Sequence, residues 1–73
     1  MARETVGVPI TGKIISVNVK VGDKVKEDDI LCVLESMKME NPMVAFVGGK
    51  VVELGVKVDQ VVKPGDTIAV IEY

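Results

Sequence analysis

Histidine and tryptophan are absent from this sequence, and cysteine, tyrosine and phenylalanine occur once each. With no histidine and a single thiol, Cys32, there is no zinc-ligand cluster, no cysteine–histidine pair for nucleophilic catalysis and no disulfide framework. A chain of 73 residues without such staples lies near the lower size limit for folding, so its stability must come from packing. Phe46 and Tyr73 alone make no stacking platform, and nine basic against eleven acidic residues give a net charge of −2 with no basic patch. Nucleic acid is therefore not an expected partner. No apolar run approaches the roughly 20 residues that span a bilayer, and no charged-then-apolar leader opens the chain. A cytoplasmic protein without membrane insertion is expected, and an unpaired cysteine suits a reducing compartment.

What the chain has instead is valine and isoleucine, which dominate its 48% hydrophobic content. Both are stiff at the first side-chain torsion and favour pleated strands. The expectation is an all-β domain over 1–73. A short strand at Glu4 to Val8 ends at Pro9. From Gly12 the residues alternate, placing Ile15, Val17, Val19 and Val21 on one face and Ile14, Ser16, Asn18 and Lys20 on the other. Turns at Gly22-Asp23-Lys24 and Glu27-Asp28-Asp29 lead to a strand at Ile30 to Glu35, and Pro42 to Val47 reads as a returning strand.

The pattern then starts again. Residues 47 to 72 lie over residues 10 to 35 without a gap, at a constant offset of 37. Identities include Gly12/Gly49, Lys13/Lys50, Val19/Val56, Lys20/Lys57, Val25/Val62, Lys26/Lys63, Asp29/Asp66, Val33/Val70 and Glu35/Glu72. Two copies are too few for a solenoid. Two half-sandwiches closing on each other about a pseudo-two-fold axis give a flattened β-barrel whose two sheets share one core.

The repeat also separates scaffold from function. Lys63-Pro64-Gly65-Asp66 and its counterpart Lys26-Glu27-Asp28-Asp29 are turns, with Asp28, which tolerates a left-handed conformation, standing where Gly65 does. Gly12 and Gly49 match, which points to close backbone approach. Glu35 is echoed by Glu72 and reads as a solvated strand-end carboxylate. Cys32 has Ala69 as its partner and reads as a small buried residue. Three adjacent carboxylates at Glu27-Asp28-Asp29 lack the spacing of a calcium loop, so no metal is expected.

Met37, Lys38 and Met39 have no echo. They sit in the central stretch Glu35-Ser36-Met37-Lys38-Met39-Glu40, where a hairpin is expected but the Asn-Gly or Asp-Gly pair that favours a two-residue turn is missing. A break in local rules is where function is sought first. Lys38 falls on Met1 under the offset, so the counterpart of the hairpin tip is the gap between the chain ends, and the tip is expected at the opposite end of the barrel. No acid–base or carboxylate pair points to catalysis. An unmodified β domain that binds a partner along an exposed strand edge is the rival reading.

This stretch, centred between two valine-rich halves with Gly-Asp turns, resembles the biotinyl domain of biotin carboxyl carrier proteins, within the biotinyl/lipoyl attachment family. The likeness runs from about Val8 to Glu72. It implies two four-stranded antiparallel sheets with the modified lysine on an exposed hairpin. It implies further that Lys38 is joined through Nζ to the carboxyl group of biotin by an ATP-using biotin protein ligase. Met37 and Met39, as adaptable apolar side chains, would meet the partners, with Glu35 and Ser36 supporting the hairpin. The remaining implied partners are biotin carboxylase and carboxyltransferase, to which the catalysis belongs, and the isolated domain is expected to be monomeric. The lysine stem plus the valeryl chain reach about 12–15 Å at roughly 1.5 Å per bond. The family most often has Ala where this chain has Ser36, and Pro-Met-Pro before the first glycine where this chain has Pro9-Ile10-Thr11. Lipoyl carriers usually have Asp before the lysine and Ala after it, so Met37 and Met39 argue against that alternative.

Overall fold

The computed structural model describes all residues from Met1 to Tyr73. Eight strands make up the fold: β1 (Arg3–Gly7), β2 (Gly12–Val17), β3 (Lys24–Val25), β4 (Ile30–Ser36), β5 (Met39–Val44), β6 (Gly49–Leu54), β7 (Val61–Val62) and β8 (Thr67–Glu72). They form two antiparallel four-stranded sheets in the orders β1-β8-β6-β3 and β5-β4-β2-β7. A shift of 37 residues turns one order into the other: β1 and β3 of the first sheet move forward onto β5 and β7, and β8 and β6 move back onto β4 and β2.

The correspondence extends to single residues. Lys13 pairs with Glu35 in one sheet and Lys50 with Glu72 in the other, and Ile14–Leu34 matches Val51–Ile71. At the repeated turns, left-handed backbone falls on Asp28 (φ 74°) and Gly65 (φ 101°), then on Gly22 (φ 99°) and Asp59 (φ 72°). Each turn is closed by a side chain accepting from a backbone amide three residues earlier: Asp23 from Lys20, Asp29 from Lys26, Gln60 from Lys57 and Asp66 from Lys63. Asp29 of the acidic run therefore serves its own turn.

Bulges also come in pairs, and they correct the alternation read from the sequence. The register of β2 on β4 shifts between Ile14 and Ser16, and that of β6 on β8 between Val51 and Glu53. A bulge adds one residue to one strand and so exchanges its faces. Hence Ile14, not Ile15, is fully buried, while beyond the bulge Val17 and Val19 pack on the core and Val21 is exposed. A second pair of shifts at Leu31 and Ile68 puts consecutive residues Leu31-Cys32 and Ile68-Ala69 into the core.

The core lies between the sheets and is drawn from both halves, with Val6, Ile14, Leu31, Leu34, Val51, Ile68 and Ile71 among its members. Buried polar side chains are absent, so nothing within it needs a compensating hydrogen bond. Cys32 is fully buried there, and loss of hydration raises its thiol pKa above the ordinary 9.0. The molecule measures 36 × 19 × 17 Å.

Candidate functional site

Strand β5 begins at Met39, earlier than the Pro42 start expected from the sequence, because only Met37 and Lys38 separate it from β4. Ser36 and Met39 are the closing register pair. The two residues between them have φ of +53° and +65°, the double positive φ of a type I′ turn. That turn normally takes Asn and Gly. An L-residue with a long side chain costs roughly 1–2 kcal/mol in the left-handed region, so the Met-Lys pair makes this a strained tip. Its geometry follows the hand that twisted strands demand, in spite of its residues.

At the end of the hairpin the side chains stand clear of the barrel. Met37 is 91% exposed and Met39 68%. Lys38 is exposed as well, and its amine takes part in none of the side-chain hydrogen bonds or ion pairs of the molecule. Pro42 is tolerated in β5 because this strand forms the edge of its sheet, where a missing N–H breaks no central ladder.

Two features behind the tip acquire meaning only in three dimensions. Glu35 faces Glu40 directly across the β4–β5 ladder. The equivalent place in the other sheet pairs Glu72 with Arg3, joined by a 3.2 Å ion pair. Where the scaffold half has an attraction, the hairpin half has two like charges, an arrangement that weakens a ladder. Asn41, which the sequence does not single out, donates its side-chain amide to the carbonyls of Leu34 (3.3 Å) and Met39 (3.2 Å). Ser36 is half-buried in the closing pair and makes no side-chain hydrogen bond.

The chain ends complete the symmetry. Ala2 and Tyr73 exchange both backbone hydrogen bonds at 2.9 Å, and under the offset of 37 they are the mates of Met39 and Ser36. The tip and the joined ends thus lie on opposite sides of the two-fold axis.

A small barrel that holds an exposed, unpaired lysine out on a strained turn, with no pocket beside it, is built to present a side chain rather than to enclose a substrate. The chain belongs to the family described as "Biotin-requiring enzyme", whose sequence model matches residues 4–71. It is 58% identical over 40 residues to the glutaconyl-CoA decarboxylase subunit gamma of Acidaminococcus fermentans, which covers 55% of this chain and 28% of that protein. It is 50% identical over 44 residues to the biotin carboxyl carrier protein of Streptococcus mutans, covering 60% of this chain and 34% of the relative. The chain thus spans about a third or less of the length of these relatives. The crystal structure of the Kluyveromyces lactis urea carboxylase superposes over 99% of this chain and 6% of its own, with a TM-score of 0.89 and 32% identity. The lipoyl domain of the Azotobacter vinelandii 2-oxoglutarate dehydrogenase complex shares the fold, with a TM-score of 0.74 at 21% identity over 86% of this chain and 80% of that one.

Proposed function

We propose that Lys38 is the attachment point of covalently bound biotin and that the domain is the carrier of a biotin-dependent carboxylase, decarboxylase or transcarboxylase. The observation that carries this reading is the position of Lys38: exposed, unpaired, on a two-residue turn held in an unfavourable backbone conformation, at the one place where the internal repeat has no counterpart. An amine that keeps no protein partner gives nothing up when it is acylated. The residues present fit an amide-linked group, since attachment needs only a reachable amine and free space around it. Bound biotin would supply a nitrogen that takes up a carboxyl group at one enzyme site and gives it away at another.

The chain's own part is to display and orient. The turn points Lys38 away from the barrel, and the arm adds about 12–15 Å of reach at roughly 1.5 Å per bond. Covalent attachment keeps the group at high effective concentration for both sites in turn. For ligation the Lys38 amine must be neutral: its nitrogen attacks the activated carboxyl carbon, the amide bond forms as the leaving group departs, and the amine proton passes to a base on the ligase. Met37 and Met39, flanking it with flexible apolar side chains, suit a surface that must fit a biotin protein ligase, a biotin carboxylase and a carboxyltransferase in succession. No helix of the protein is long and apolar enough to cross a membrane; the working compartment proposed is the cytoplasm, with the domain a monomer between visits.

Intact mass and peptide mapping after incubation with a biotin protein ligase, ATP and biotin provide the test. One biotinyl group on Lys38, absent from Lys38→Ala, is expected. A folded chain that gains no mass would refute the reading, and a parallel incubation with a lipoyl ligase would then decide between a lipoyl carrier and an unmodified interaction domain.

A further inference from the structure

We propose that Asn41 is a positioning residue for Lys38: its side-chain amide clamps the Met37–Lys38 turn shut, so that the lysine reaches its modifying enzyme already oriented. This rests on the carrier reading given above. Three features of the hairpin favour opening: a left-handed Met37, a left-handed Lys38, and the Glu35–Glu40 like-charge pair immediately behind them. Against them stands one side-chain clamp. Asn41 faces Leu34 across the ladder, and because partners in register share a face of the sheet, its amide lies on the same side as the fully buried Leu34. From there it donates to a carbonyl on each strand, Leu34 on β4 and Met39 on β5, the second belonging to the residue that follows Lys38.

The pseudo-symmetry supplies an internal control. The mate of Asn41 is Glu4, on β1 opposite Ile71, and Glu4 makes no side-chain hydrogen bond there. In that half the neighbouring pair is Arg3 with Glu72, already attractive. The clamp occurs only where the ladder is weakened and the turn strained, so barrel closure as such does not require it. A turn that opened part of the time would present Lys38 in the binding-competent form for only a fraction of molecules, and the apparent affinity would fall by that fraction.

The test pairs Asn41→Ala with a compensating change. Glu40→Lys rebuilds across from Glu35 the attraction that Arg3 gives Glu72, and it leaves Asn41 and the Met-Lys-Met tip untouched. Amide hydrogen exchange is followed at Ser36 and Met39, with Ile14 and Val51 as core references, and ligation is followed as KM and kcat for the carrier. In Asn41→Ala, exchange at the tip is expected to quicken roughly ten-fold, the scale of one net hydrogen bond, with the core amides unchanged. KM should rise by a similar factor with kcat retained, and the double variant should recover both, measured against Glu40→Lys alone. Unchanged exchange at the tip would overturn the clamp, as would quickened exchange in the core. Exchange that recovers in the double variant while KM does not would place Asn41 in direct contact with the enzyme and overturn the positioning role. If the unaltered chain accepts no biotin, the carrier reading fails on its own, and the exchange measurements still decide whether Asn41 holds the turn.

Discussion

Replacing Gly12 or Gly49 by alanine should destabilise the domain equally while disturbing the lysine tip in only one case. A Cβ on Gly12 would fall against the Glu35 carbonyl oxygen and 2.8 Å from Leu34 Cδ1; on Gly49 it would meet the Glu72 carbonyl oxygen and lie 2.9 Å from Ile71 Cγ2. The obstructing oxygen is backbone in a central ladder and cannot rotate aside, so one strand must shift. Overpacking of this kind costs about 1–3 kcal/mol, and an immovable neighbour puts both variants near the top of that range. For a chain of this size, a loss of 2–3 kcal/mol lowers Tm by roughly 10–20 °C. Thermal unfolding followed by circular dichroism measures that loss, and biotin incorporation at a temperature where each variant is fully folded measures the tip. Gly12→Ala pushes against Glu35, three residues before Lys38, and should slow incorporation; Gly49→Ala pushes against Glu72 beside the chain end and should not. A Tm change of a few degrees in either variant would refute the packing argument. Stability losses differing by more than about 1 kcal/mol, beyond the scatter of such substitutions, would refute the equivalence of the two halves.

Other perturbations follow from the same geometry. Met37→Asn places an αL-tolerant residue at the first turn position and should raise stability by about 0.5–1 kcal/mol in urea titrations, while slowing ligation through loss of the methionine surface. Glu40→Lys removes the like-charge pair and should add a few tenths of a kcal/mol up to about 1 kcal/mol, an increment that shrinks with added salt. Arg3→Ala breaks an ion pair whose arginine is 59% exposed; a loss above about 1 kcal/mol in the same titration would contradict the surface character of that pair. Cys32 holds its proton in the folded state at a pH where the unfolded chain has released it. Its contribution is therefore complete below the ordinary pKa of 9.0 and declines as pH rises beyond it. Urea midpoints across that range should fall more steeply for the unaltered chain than for Cys32→Ala, and Cys32 should resist iodoacetamide at neutral pH until the protein is unfolded.

Composition and the repeat made the barrel legible, because valine-rich strands joined at matched turns leave little choice of architecture. Lys38 stood out for the complementary reason, as the residue the repeat could not explain. What was hidden depends on pairing between strands. Strict alternation cannot register an inserted residue, so Ile15 was assigned the face that Ile14 occupies. Turn chemistry judged from preferred residues gave no sign that Met37 and Lys38 would adopt the type I′ conformation, because ladder twist overrode their own preference. The Glu35–Glu40 repulsion and the Asn41 clamp join residues five and seven positions apart along the chain, and neither has a signal until the register of β4 on β5 is known. The offset of 37 offered one hint: it sets Glu40 against Arg3, a reversal of charge at equivalent places.

The backbone bonds between Ala2 and Tyr73 make this barrel a ring with a single cut. Because the cut edges lie side by side, at the spacing of paired strands, roughly 5 Å, a longer polypeptide could pass into the domain and out again through one narrow gateway. Such an insert would disturb its host no more than an added hairpin would. Closing that gateway with a two-residue turn would create a second tip, and opening the chain elsewhere would give a permuted molecule whose lysine could be moved to either pole without altering the barrel between them.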